Sequence, residues 1–255
     1  MHDNDTTAGG AAVDLSKHDA LAGAFPATNE GRLLFAIAFL FSIFQIATAA
    51  HLIDPPSQLV RAIHVGFVTV LIFPLLAAMA DKGKARRAIA WGLSSLGMAV
   101  AFYQCHEYAD LLVRAGDPLP LDIFFGVLGI GIVFAAAWVL LGPALPIISG
   151  IFLVYCLFGE HLPSPLNHRG YDFSQVIDHM AYGTEGIYGI PTLVSSSYIF
   201  LFILFGAFLE KAGMIQLFND VSLSLVGARR GGPAKVSIIS SGLMGTISGS
   251  GVATS

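Results

Sequence analysis

The sequence predicts an all-α polytopic membrane protein, and three observations support this fold class. Hydrophobic residues make up 55% of the 255 residues, charged residues make up 12%, and the mean hydropathy is +0.73. A soluble domain usually carries about twice that charged fraction. The charged residues are clustered, so several long windows contain none. The apolar runs do not alternate with a period of two, which argues against membrane strands.

Six apolar segments are predicted to cross the bilayer. An α-helix rises about 1.5 Å per residue, so about 20 apolar residues span roughly 30 Å of hydrocarbon. The charge-free run 123–159 is too long for one helix, and Gly142-Pro143 with Pro146 divides it into a helical hairpin. The fifth segment is short, and we expect it to extend into its flanks. The six predicted segments are 33–50, 62–80, 88–106, 123–141, 144–159 and 191–209.

The charges of the connecting loops predict the orientation. Cytoplasmic loops carry an excess of Lys and Arg. Residues 81–87 hold four basic residues against one acid, and 210–235 hold Lys211, Arg229, Arg230 and Lys235. Residues 107–122 and 160–185 each hold one Arg against four acids. One alternating topology satisfies every informative loop, with the N-terminus in the cytoplasm.

Two segments outside the six spans are not predicted to cross the membrane. Residues 1–31 are polar, acidic and rich in Gly and Ala, and they lack the layout of a cleaved signal, which indicates a disordered cytoplasmic tail. Residues 214–226 are mostly apolar but are interrupted by Gln216, Asn219 and Asp220. This pattern favours an amphipathic helix at the inner membrane interface over a tight loop.

The stretch SSGLMGTISGSGVATS, residues 240–255, is the main candidate site. It is apolar but dense in Gly and Ser, so it can be either a packing helix or an unwound segment. The spacing of Gly242, Gly245 and Gly249 favours packing, with Gly242 against a neighbouring helix. The run 248–251 favours a break, whose freed carbonyls and hydroxyls are suited to Na⁺. The residues alone leave these two interpretations open.

The remaining candidate residues are not expected to form a catalytic or metal-binding site. Cys105 and Cys156 are interpreted as ordinary thiols in preference to a single disulfide. His64, in the second span, is expected to be a neutral histidine bonded to a neighbouring helix more than a proton relay. Loop residues with metal-ligating side chains match no zinc spacing and are expected to be solvated: His161, His168, Asp172, Asp178, His179 and Glu185. No catalytic constellation and no basic patch for nucleic acid is present, so neither an enzyme nor a cofactor is predicted.

The motifs HRGYDF (168–173), FLFILFGAFLEKAGM (200–214) and RRGGPAKVSIISSGLMGTISGSGV (229–252) resemble fused permeases of TRAP transporters, the tripartite ATP-independent periplasmic transporters. The type that works with TAXI binding proteins, described as 4TM/12TM, looks most similar. The resemblance covers roughly 33–252 and is most specific from Tyr198 onward. It implies an elevator-type ion-transporter fold, Na⁺ as the coupling ion, and uptake of organic acids delivered by a periplasmic TAXI-type binding protein.

The same resemblance implies the site residues. The Gly/Ser stretch matches the tip of a re-entrant hairpin, which implies a partial Na⁺ site at Thr246, Ser248, Gly249 and Ser250. Ser250 and Thr254 are the implied substrate-binding residues. Where the family pattern reads Ala-Asn-Val, this chain reads Ala253, Thr254 and Ser255, and it is expected to be truncated inside this hairpin.

Four regions are expected from these considerations. They are the tail 1–31, small-subunit-like helices at 32–122, a helical hairpin with an outer loop at 123–190, and the start of the large transport domain at 191–255. The alternative function is an accessory membrane subunit that packs against a separate carrier. The transported solute does not follow from the sequence.

Overall fold

The computed structural model describes residues 28–79, 83–227 and 231–248. Within these residues every regular element is a helix and no strand is present, which confirms the predicted fold class. In chain order the α-helices are α1 (Asn29–Ala49), α2 (Ser57–Met79), α3 (Lys84–His106), α4 (Tyr108–Val113), α5 (Pro120–Leu141), α6 (Ala144–Phe158), α7 (Phe173–Ala181), α8 (Ile190–Val194), α9 (Phe200–Lys211), α10 (Met214–Val226) and α11 (Gly232–Ser248).

Six helical segments of the described chain are long and apolar enough to cross a membrane, as predicted. They coincide with the predicted spans to within a few residues at each end. The fifth span continues from α6 through a 3₁₀ turn at Gly159–His161, which confirms the expected extension. The sixth joins α8 to α9 through a π-helical turn at Ser195–Ile199. Gly142, at φ +82°, ends α5 and makes the predicted hairpin break.

Helices α2 and α3 form the most extensive helix pair, and small residues allow their close approach. A Cβ added at Gly66 would lie 2.6 Å from Ala101 Cβ, and one at Gly97 would lie 2.5 Å from Thr69 Oγ1. Helix α5 packs against this pair. The buried apolar cluster contains Phe73, Ala77, Ala90, Val100, Ile132 and Ala136. This cluster is the core that holds the second, third and fourth spans together.

The loop between the fifth and sixth spans is partly folded. Helix α7 begins at Asp172, whose carboxylate accepts a hydrogen bond from Ser174 N at 3.1 Å. Its apolar face packs on α5, where a Cβ at Gly126 would lie 2.5 Å from Ile177 Cγ2. The loop is therefore attached to the membrane helices and is not simply a solvated connection.

Helices α10 and α11 pack together after the last span. The segment predicted to be amphipathic is helical over Met214–Val226, and Gly213 precedes it with φ +86°. Helix α11 is continuous through Gly242, so the backbone is unbroken up to Ser248. A Cβ at Gly242 would meet nothing within 4 Å. The assignment of Gly242 to helix packing is therefore wrong, because this position is on a face of α11 that has no neighbour in the described chain.

Candidate functional site

The predicted Na⁺ and substrate residues lie at and beyond the end of α11. The backbone of Thr246 and Ser248 belongs to its last helical turn. The positions of Gly249, Ser250 and Thr254 lie outside the described residues. Whether these residues meet around an ion is therefore outside what the structure describes, and their roles stay predictions from the sequence.

The helix pair that carries this segment contains polar contacts of its own. Ser240 Oγ donates a hydrogen bond to Asn219 Oδ1 and so ties α11 to α10. Ser222 is fully buried, and its hydroxyl has no hydrogen-bond partner in the described structure. Sequence patterns pointed to Asn219 as an interruption of an apolar face, but they did not show that it pairs with Ser240.

A polar junction lies inside the membrane-spanning part of the chain. Gln45 Nε2 of α1 lies 2.6 Å from His64 Nδ1 of α2, and His64 Nε2 lies 3.2 Å from Ser195 Oγ in the π-helical turn. The rings of Phe41 and Phe200 pack around the imidazole, with centroids 5.2 and 6.2 Å away. The junction links the first, second and sixth spans.

This geometry agrees with the expectation of a hydrogen-bonded histidine at position 64. A relay would need a titratable partner beyond the imidazole, and both groups bonded to His64 are neutral. The π-helical turn that supplies Ser195 was not predicted. Such turns occur frequently at functional sites of helices.

A charged network connects the loop after α3 to the start of α5. Arg114 Nη2 lies 3.2 Å from both Glu107 Oε2 and Asp122 Oδ1, and Asp122 is completely buried at the start of α5. Hydrogen bonds from His106 and Arg114 lower the pKa of Glu107. Tyr182 Oη donates to the backbone oxygen of Asp122 at 2.6 Å. Burial raises the pKa of Tyr182, so this phenol stays protonated at neutral pH.

The loop residues with metal-ligating side chains do not assemble. His168 bonds to Tyr155 O and Gly170 N, Asp172 caps α7, and Asp178 accepts from Gly116 N at 2.9 Å. His179 lies 3.3 Å from Glu185 as an isolated pair. Among the described residues no group of three or more His, Cys, Asp or Glu could hold a metal. Cys105 and Cys156 are free thiols, so the disulfide interpretation is wrong for this structure.

Six apolar spans, a polar intramembrane junction and folded loops define a multi-pass helical membrane protein. A comparison with protein families identifies the family of this membrane protein. The family model for the DctM component of the tripartite ATP-independent periplasmic transporters matches residues 128–255, half of the chain. The chain belongs to this family of transporter permeases.

All three motifs that carry the resemblance lie within this match, whereas the resemblance itself was expected from about residue 33. The match begins in α5 and includes the sixth span and the Gly/Ser segment, whereas the first three spans precede it. No curated protein and no solved structure matches the chain.

Proposed function

We propose that this chain forms part of a permease that couples inward Na⁺ flow to the uptake of organic acids. The observation that carries the proposal is the match to the transporter permease family over 128–255. The six apolar spans supply the membrane setting, and the motifs of the Gly/Ser segment supply the implied ion site. Transporters hold a dehydrated Na⁺ with oxygens at interruptions and ends of helices, where the last carbonyls have no partner within the helix.

The proposed ion site uses oxygens of Thr246, Ser248, Gly249 and Ser250, with Ser250 and Thr254 nearest the solute. Na⁺ is a hard cation that binds several oxygens, so this short segment contributes only a part of the coordination. The proposed coupling ion replaces any need for a bound cofactor. The proposed setting is the bacterial inner membrane with the N-terminus in the cytoplasm, as the loop charges favour.

The test is Na⁺-dependent uptake by proteoliposomes that contain the full-length gene product and its binding protein. We expect Gly249→Val and Ser250→Ala to raise the Na⁺ concentration needed for half-maximal uptake at least tenfold, because a ligand or its backbone angle is lost. Gly242→Ala is the matched control, since a Cβ there meets nothing within 4 Å. Unchanged Na⁺ dependence in both site variants would make the segment a packing element and remove the site assignment.

We further propose that the loop 160–185 contributes to docking of a periplasmic binding protein of the TAXI type. Asp172 and Asp178 are poor positions at which to test this, because the first caps α7 and the second bonds to Gly116 N. Glu160 and Glu185 have side chains that are 59% and 78% exposed. Charge reversal at both is expected to weaken uptake that depends on the binding protein while leaving the amount of permease in the membrane unchanged.

The same uptake assay separates the alternative of an accessory subunit. An accessory subunit would support transport only when a separate carrier protein is added to the proteoliposomes. Uptake that requires no other membrane protein would contradict this alternative and leave the permease proposal standing.

A further inference from the structure

A cavity of about 380 Å³ lies where the first, second and sixth spans meet the loop 51–56, and its ligand is not given by membership of the permease family. The polar junction of His64 adjoins it, because Gln45 belongs to both. The loop charges predict that this end of the spans faces outward. Among the described residues, none of α11 lines the cavity.

Three of the hydroxyls that line the cavity donate their protons to backbone oxygens. Thr48 Oγ1 donates to the backbone oxygens of Phe44 and Gln45, at 3.1 and 2.9 Å. Ser196 Oγ and Ser197 Oγ both donate to Leu193 O in the π-helical turn, at 3.1 and 2.5 Å. With their protons engaged, these hydroxyls can offer only oxygen lone pairs to a ligand.

Two further residues add acceptor capacity. Gln45 is 1% exposed, and its Oε1 has no hydrogen-bond partner in the described structure. This oxygen is closed off from solvent, so a ligand in the cavity would reach it only after the Gln45 side chain turned. Asp54 adds a carboxylate at the exposed loop. Among the lining residues none is Lys or Arg, and His51 and Tyr198 are the further titratable groups.

Arg61 is a cation that lies close to the cavity without being one of its lining residues. Arg61 Nη2 lies 3.1 Å from Ser57 Oγ, and Ser57 lines the cavity. The guanidinium also donates to Tyr188 O, so it is directed partly away from the cavity. The Ser57 hydroxyl accepts from Arg61 and lies between this guanidinium and a ligand in the cavity. Its own proton can be donated to the ligand, which favours a ligand that has an oxygen atom next to its positive group.

The volume of the cavity favours an organic ligand over a bare metal ion. A water molecule occupies about 30 Å³ in the liquid, so the space is that of roughly a dozen waters. A dehydrated ion needs oxygens closed tightly around it, which a cavity of this volume does not provide. The carbon skeleton of an organic ligand would contact Val60, Leu193 and Leu201, which line the apolar part of the wall.

We infer that this cavity binds an organic ammonium group, which donates to the free acceptors and is balanced by Asp54. Two sources share this chemistry: the ethanolamine headgroup of a membrane lipid, and a small free amine from the aqueous phase. Occupancy would hold the π-helical turn of the sixth span against α1 and the loop 51–56, because the acceptors come from all three.

The test is isothermal titration of the full-length chain in a non-ionic detergent free of lipid, at constant ionic strength. The probes are ethanolammonium chloride, NaCl and ethylene glycol, of which the last matches the first in size but carries no charge. We expect saturable binding of ethanolammonium alone. Saturable binding of Na⁺ with equal affinity, or no binding of ethanolammonium, would overturn the inference.

Variants then locate the site. Asp54→Asn is expected to weaken ethanolammonium binding about tenfold, the loss of one charge-assisted hydrogen bond. Ser197→Ala, which removes one acceptor oxygen, is expected to weaken it severalfold. Asp117→Asn is the matched control, since Asp117 is also exposed on a loop at this end but does not line the cavity. Equal affinities in all three variants would place binding elsewhere and contradict the assignment.

Bilayer discs distinguish the two sources. In discs of phosphatidylglycerol with phosphatidylethanolamine, a site filled by the lipid headgroup would show ethanolammonium affinity reduced at least tenfold relative to discs of phosphatidylglycerol alone. Equal affinity in the two kinds of disc would identify a free amine as the ligand. Either result supports an ammonium site, whereas identical titration curves for the parent and Asp54→Asn in both discs would overturn it.

Discussion

Gln45 Nε2 lies 2.6 Å from His64 Nδ1, and this contact joins the first two spans. With the amide donating to Nδ1, the imidazole carries its proton on Nε2 and donates to Ser195 Oγ in the sixth span. His64 is thereby a neutral connection among three helices.

Substitution of Gln45 by Leu is expected to lower the free energy of unfolding by about 1–3 kcal/mol, because His64 Nδ1 loses its donor in a buried site. The double variant Gln45→Leu/His64→Phe should be less destabilised than the sum of the two single variants, since no unpaired group remains. Thermal unfolding in detergent measures both. Ile46→Leu, a neighbouring exposed position, is the control. Equal melting temperatures for Gln45→Leu and this control would show that the contact contributes nothing.

Two glycines of α3 should respond oppositely to alanine. Gly97→Ala is expected to cost about 1–3 kcal/mol, because its Cβ would lie 2.5 Å from Thr69 Oγ1 and push α2 and α3 apart. Gly92→Ala meets nothing within 4 Å and should stabilise the helix by up to about 1 kcal/mol. The melting temperatures of the two variants, compared with that of the parent, test this difference. A Gly97→Ala protein as stable as Gly92→Ala would contradict the close approach of these helices.

The Glu107 carboxylate gives a pH-dependent prediction. Its pKa is lowered by hydrogen bonds from His106 and Arg114, so the charged form stabilises the folded state. That contribution is present above the ordinary glutamate pKa of about 4.3 and is lost as pH falls through the lower folded value. The parent should therefore melt above Glu107→Gln at pH 6, and the difference should shrink as the pH falls below the ordinary glutamate pKa and vanish below the lower folded one.

Asp110→Asn controls for the removal of one negative charge from the same loop, because Arg114 pairs with Glu107 and Asp122. If the difference between parent and Glu107→Gln grew as the pH fell, the direction of the pKa shift would be wrong.

Labelling from outside the cell tests the orientation. Both native thiols are free, so Cys105 and Cys156 must first be replaced. In that background, cysteines at Asp117 and Leu166, both exposed, are expected to react with an impermeant maleimide in intact cells. Leu166 replaces the obvious choice Asp172, whose carboxylate caps α7. A cysteine at exposed Lys84 should react only after the membrane is permeabilised. Labelling of Lys84 in intact cells would invert the topology.

Much of the fold could be predicted because its signals are local. Windows of about 20 apolar residues marked all six spans, and Gly142-Pro143 marked the turn between α5 and α6. The π-helical turn at Ser195–Ile199 had no such signal, since its three serines are compatible with an ordinary helix. The spacing of Gly242 in the Gly/Ser segment suggested packing, but its side of α11 has no neighbour in the described chain.

The sequence by itself determined the class of protein, the spans and the motifs of the permease family. It could do so because hydropathy, helix rise and short motifs each depend on residues close together in the chain. Only the tertiary structure decided which polar groups meet. Ser195 lies within hydrogen-bond distance of His64, although 131 positions separate them in the sequence. Of the acids in its loop, Arg114 pairs with Asp122 and Glu107. Such pairs depend on the rotation and depth at which separate helices pack, and no local pattern of residues specifies either quantity.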